Sequence, residues 1–246
     1  MKGNRVLFYG LMIVLSLAVS GCAAIPAGRE GEDAEKIADR LLQAANERAW
    51  MDTAAVSFRF RDSHFIFWDR KRSLAETSNG SVVIQFDTKG LRGLVIDNGK
   101  RVEDPEKIRG WIEKGRSWLV NDTYWLNPVF HIRAPGAKRM LTDDGQLRVT
   151  FESGGVTPGD SYVFSFDDTG LITEMKMWVQ VFPIRLIRGA RVSFSDYITT
   201  STGVKIPLHH KVSGMIEVNM SDVVTYAAYP DKTEDRFDAL LKTLGR

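Results

Sequence analysis

The chain has 246 residues, 43% hydrophobic and 26% charged, with 33 basic against 31 acidic side chains, a length that supports a substantial core in one generous domain or two small ones. Lys2 and Arg5 are the only charges in the first 21 positions, so the remainder carries equal numbers of each sign and lacks the dense basic surface that nucleic-acid binding demands. One cysteine, Cys22, excludes an internal disulfide framework and any zinc site built on paired cysteines.

Residues 1–21 read as a secretory leader. Lys2 and Arg5 make a positive start, and Val6 to Val19 is a mostly apolar run of 14 residues, short of the roughly 20 that a spanning helix needs. Small residues lead into the cysteine as Val19-Ser20-Gly21-Cys22, which resembles the lipobox of bacterial lipoproteins, with Val where Leu is commonest. The resemblance implies cleavage before Cys22, diacylation of its thiol and acylation of the new N-terminus. Acyl chains anchor at roughly 0.8 kcal/mol per buried CH₂. Ala23, where an Asp would favour retention at the inner membrane, implies an outer-membrane lipoprotein with its body in the periplasm. The alternative is an ordinary cleaved leader with an incidental cysteine, which leaves a free thiol in an oxidising compartment.

Residues 22–31, with Pro26, Gly28 and Gly31, read as a tether. Glu32 to Trp50 is predicted as a helix: Ile37, Leu41, Leu42 and Ala45 share a face, and acids crowd the first turns, where the macrodipole favours them. Alternating segments follow at Ala55–Phe60 and His64–Trp68, then Val82–Phe86 and Leu91–Ile96, the last running into the turn Asp97-Asn98-Gly99. Asp104-Pro105 opens a second helix toward Trp118, with Asp as N-cap and Pro at the first helical position. Asn121 to Pro128 is an aromatic loop or short helix. Strands return at Gln146–Phe151, Ser161–Phe166, Leu171–Phe182, Arg191–Ile198, Gly203–Val218 and Asp222–Ala228, and an amphipathic helix, Glu234–Leu244, closes the chain. The sum is about ten or eleven strands and three helices, with no repeat and no long interior linker, so residues 32–246 are expected to form a single domain.

An antiparallel sheet of that size must curl or be covered. Three helices are too few for both faces, so the expected fold is mainly β (α+β), a curved antiparallel half-barrel capped by two or three helices. The order of elements, Asn121-Asp122-Thr123-Tyr124-Trp125-Leu126-Asn127-Pro128, the segment Gly159 to Asp167, Phe194-Ser195-Asp196-Tyr197 and Gly203-Val204-Lys205-Ile206-Pro207 together resemble the LolA/LolB-like family. Its members include the periplasmic carrier and receptor of outer-membrane lipoproteins. The resemblance covers roughly residues 32 to 230 and implies that fold.

Catalytic patterns are absent. The four histidines, His64, His131, His209 and His210, form no metal-binding spacing, and the adjacent pair points to opposite faces of a strand. No Gly-x-Ser-x-Gly elbow occurs. The glycine-rich Gly154 to Asp160 lacks the Lys-Ser/Thr of a phosphate loop. The pairs Asp143-Asp144 and Asp167-Asp168 fall at hairpin ends, where Asp suits turn geometry. No cofactor, metal or enzymatic activity is expected.

The aromatics carry the remaining signal. Trp68, Trp118, Trp125, Phe130, Trp178 and Phe182 would serve as core, or as the lining of an apolar concave cavity suited to acyl chains. Phe182 to Arg188 is either a rim loop that meets head groups or a partner, or a solvated strand end. The expected function is an outer-membrane-anchored periplasmic lipoprotein that binds a lipid, an acyl chain or a lipoprotein. The alternative is a non-catalytic docking lipoprotein in an envelope complex.

Overall fold

A computed structural model describes residues 24–153, 158–180, 188–230 and 235–246. Cys22, the centre of the glycine-rich loop and Phe182 lie outside these residues. Among them are fourteen strands: β1 (Gly28–Arg29), β2 (Ala55–Phe60), β3 (His64–Asp69), β4 (Leu74–Asn79), β5 (Val82–Asp87), β6 (Gly93–Asp97), β7 (Lys100–Arg101), β8 (Ala137–Thr142), β9 (Leu147–Phe151), β10 (Ser161–Phe166), β11 (Ile172–Trp178), β12 (Ala190–Thr199), β13 (Lys205–Val212) and β14 (Ile216–Tyr226). Four α-helices join them: α1 (Glu32–Ala45), α2 (Glu47–Asp52), α3 (Pro105–Leu126) and α4 (Asp238–Leu244). The strands hydrogen-bond in the order β1-β8-β9-β10-β11-β12-β13-β14-β2-β3-β4-β5-β6-β7, which does not close. The mainly antiparallel β class expected from the alternation is what forms.

Several elements differ from expectation. The first helix breaks at Asn46, which adopts a left-handed φ of 61° and caps α2 by accepting from Ala49 N. The second helix does not stop near Trp118 but runs to Leu126, taking in most of the segment expected as an aromatic loop or short helix. Gly28 and Arg29, placed in the tether, pair with Thr142 and Leu141 of β8. β4, β7 and β8 add strands that the pattern did not single out.

The chain divides into two compact units. The first comprises residues up to Leu41, Ile132–Phe194 and Lys211–Ile216. Its register aligns Val149 with Tyr162 and Tyr162 with Met177, then Leu147 with Phe164 and Phe164 with Met175. These buried side chains form one apolar face. Arg139 Nε, on the same face as Val149, donates to Glu35 of α1 at 2.7 Å, and Arg133 pairs with Glu35 and Asp39. Arg40 donates to the carbonyl oxygens of Asp167 and Asp168.

The second unit comprises Leu42–His131, Ser195–His210 and Glu217–Arg246. Here register assigns two faces. Val56 opposes Trp68, Phe58 opposes Ile66 and Phe60 opposes His64; Ile66 opposes Thr77, and Thr77 opposes Ile84. α3 lies on this face so closely that a Cβ on Gly115 would sit 2.8 Å from Thr77 Oγ1 and 3.1 Å from Ile84 Cγ2. The other face carries Ala55, Phe67, Leu74 and Leu94, which bury Phe237, Leu240 and Leu244 of the C-terminal segment.

Ion pairs fasten that segment down. Arg236 pairs with Glu76, and Arg72 with both Asp69 (2.6 Å) and Asp235. Gln85 Nε2 donates to the Arg236 carbonyl at 2.9 Å, and Arg246 meets Asp87 at 3.0 Å. In this unit, therefore, both faces of β2–β6 are covered. Helices were judged too few for that. The second cover is less helix than extended C-terminal chain, held by charges that lie far away in sequence.

Candidate functional site

On and around α3 stand four of the six aromatics singled out in the sequence. Trp68 projects from β3 toward Trp50 of α2, ring centroids 6.3 Å apart at 61°. Trp50 stacks on Phe130, just beyond α3, at 4.7 Å and 7°. Arg70, one residue past β3, lies over both indoles, with Cζ 4.2 Å from the Trp50 ring and 5.4 Å from that of Trp68. Its Nη1 donates to the carbonyl oxygens of Trp50 and Thr53.

Further along, Trp118 of α3 stacks on His64 at 4.4 Å. His64 Nδ1 donates to Asp122 Oδ2 at 2.9 Å, and Asn121 Nδ2 donates to Oδ1 at 2.8 Å. Asp122 is fully buried. Burial raises its carboxyl above the usual range, opposed by the two hydrogen bonds and the His64 charge. Trp125 presents an edge-on contact to His210 of β13 at 6.0 Å.

The six aromatics do not line one space. Trp68 and Phe130 meet through Trp50, Trp118 belongs to His64, and Trp125 to His210. Trp178 is buried on β11 in the other unit, and Phe182 lies outside the described residues. Trp68, Trp118, Trp125 and Phe130 are each only half-buried. Two clefts open elsewhere on the second unit. One, of about 320 Å³, is lined by Asn46, Arg48, Ala49, Asp52, Thr202 and Ala227. The other, of about 540 Å³, is lined by Arg101, Asp238, Ala239, Lys242 and Thr243. Neither has an aromatic wall.

The remaining titratable groups read structurally. His210 is fully buried and His209 partly exposed, the opposite facing that alternation predicts. His210 Nδ1 donates to the Val218 carbonyl at 2.9 Å. His209 lies 3.5 Å from Asp196 and 3.6 Å from Glu217. Asp167 Oδ1 accepts from Thr169 N, Thr169 Oγ1 and Leu171 N, which closes the β10–β11 turn and lowers its carboxyl. Among the described residues no cluster of three or more His, Cys, Asp or Glu side chains is arranged to hold a metal ion. Likewise no described helix is long and apolar enough to cross a membrane.

Trp50, Arg70 and the His64–Asp122 pair escaped the sequence reading. Arg70 sits in the hairpin run Asp69-Arg70-Lys71-Arg72, where strand alternation sends Arg70 and Asp69 to opposite faces. That alternation was the available signal.

No protein-family model matches the chain, and no curated protein matches it. Among solved structures the chain is similar to a LolA superfamily protein from Nitrosomonas europaea, at 11% identity and a TM-score of 0.36, over 81% of this chain and 97% of that one.

Proposed function

We propose that this protein is a non-catalytic envelope lipoprotein, anchored through acyl chains on Cys22 at the periplasmic face of the outer membrane, that binds the acyl chain of a lipid or lipoprotein beside α3. The observation that supports this reading is the half-buried state of Trp68, Trp118, Trp125 and Phe130 on and around α3. A protein interior normally closes over so much aromatic surface. The surface left open can take up methylenes at about 25 cal/mol per Å². Native mass spectrometry of the mature chain carrying Cys22→Ser, purified from the soluble periplasm, tests it. A bound lipid or acyl species is expected. A chain that carries none and takes up no added dodecanoate overturns the reading.

A second reading, a docking lipoprotein, is favoured by one feature. Met215 and Ile216, at 65% and 52% exposure, stand at the tip of the β13–β14 hairpin. A photo-crosslinker at Met215 in intact cells should then capture a partner in a discrete band, and its absence counts against docking.

A further inference from the structure

Two arginines of one hairpin meet opposite fates. Arg72, on the face covered by the C-terminal segment, is held by the carboxylates of Asp69 and Asp235, which raise its proton affinity. Arg70 faces α2 and α3 and has no carboxylate within 4 Å among the described residues. Among the described residues its side chain's only hydrogen bonds run from Nη1 to two backbone carbonyls, those of Trp50 and Thr53. Nε and Nη2, the other edge of the fork, make no hydrogen bond among the described residues and are not sealed from solvent. Burial alone acts on the guanidinium, lowering its proton affinity. Indole faces and helix-end carbonyls ease that cost but supply no full negative charge. The neighbouring Lys71 is exposed and adds a second cation.

We infer that Arg70, seated on the buried Trp50 ring, forms a receptor for an anionic amphiphile, in which the Nε–Nη2 edge takes a carboxylate or phosphate head and the half-buried rings of Trp68 and Phe130 take the first methylenes. This rests on the acyl-binding reading above and adds the head-group chemistry. A planar fork with one edge already committed matches two oxygens of either head bidentately. The partly dry aromatic surroundings strengthen that pair relative to water. A guanidinium whose role is only to close the end of α2 has no need of a free edge.

Calorimetric titration of the mature Cys22→Ser chain with dodecanoate, dodecyl phosphate, dodecanol and inorganic phosphate tests the inference, with melting curves to confirm folding. Charge-assisted pairs are worth about 1.5–3 kcal/mol, so both anionic amphiphiles should bind at least about tenfold tighter than dodecanol, and Arg70→Gln should abolish that ratio, so that anionic and neutral probes bind alike. If Arg70→Gln fails to fold, Arg70→Lys keeps the charge and loses the fork; dodecanoate should then weaken several-fold. The ratio of dodecanoate to dodecyl phosphate affinity, with phosphatidylglycerol against phosphatidylcholine vesicles, separates a free fatty acid from a phospholipid head as the source. Equal binding of anionic and neutral probes overturns the Arg70 inference and leaves the acyl reading standing. Inorganic phosphate binding as tightly as dodecyl phosphate, with no uptake of dodecanol, overturns the acyl reading and with it the amphiphile. Binding of no probe overturns both.

Discussion

His210 shows how a single buried ring ties this protein's stability to pH. Burial pushes its proton affinity down to about 4, opposed by donation to the Val218 carbonyl and reinforced by the charge of His209. In the unfolded chain a histidine takes a proton near 6.5. A depressed folded value means that protons favour the unfolded state, so the contribution is intact above about 6.5 and is lost as pH falls from there to about 4. For one such ring the loss is on the order of 3 kcal/mol. His131, lowered by burial, acts in the same direction. Asp122, raised by burial, acts oppositely: the penalty of its buried charge eases as pH falls. The melting temperature should therefore decline between pH 6.5 and 4, and His210→Phe should flatten that decline. An unchanged slope in the variant would remove His210 from the account. In the sequence the histidines show only that they form no metal-binding spacing. That His64, His131 and His210 abut the last turns of α3 follows from packing alone.

At the scale of elements, two contacts decide how the second unit is closed. The first is the approach of α3 to β4 and β5 at Gly115. Gly115→Ala should destabilise by about 1–3 kcal/mol through overpacking, read as a lower urea midpoint, and Thr77→Ala in the same chain should recover part of it by removing the nearer atom. The second is the charged fastening of the C-terminal segment. Asp235 accepts from Arg72, Tyr229 Oη and Phe237 N, and these partners, Arg72 foremost, hold its carboxyl far below the usual range despite desolvation. Asp235→Ala should cost about 2 kcal/mol and speed amide exchange in α4 more than in α3. Equal protection in the two helices would contradict the role.

These elements also show why pattern reading stopped where it did. β4 reads Leu-Ala-Glu-Thr-Ser-Asn and carries no apolar alternation. Glu76 is nonetheless buried, because Arg236, 160 residues later, pairs with it. Asn121, Asp122 and Thr123 read as a loop or short helix for the same kind of reason. In the structure they continue α3, since His64 satisfies Asp122 and Thr123 Oγ1 donates back to the Leu119 carbonyl. A polar residue predicts exposure until a partner from elsewhere in the chain arrives.

For the molecule as a whole, the leader and Cys22 predict its address. Labelled palmitate should be incorporated by the wild-type protein and not by Cys22→Ser, which should also leave the membrane fraction for the soluble periplasm. A wild-type protein that incorporates no label would return Cys22 to the status of an incidental residue. The β class, most hairpins, the N-cap of α3 at Asp104 and the closing helix were written in local terms: alternation, turn residues and caps act between neighbours in sequence. Those are the parts that the amino-acid order settled unaided. The cover on both faces of β2–β6, the paired Arg72 and the unpaired Arg70 depend on contacts between segments far apart in the chain. Local propensity carries no information about which distant charge will meet a buried carboxylate, so only the folded chain could decide which arginine is held by carboxylates and which by backbone carbonyls.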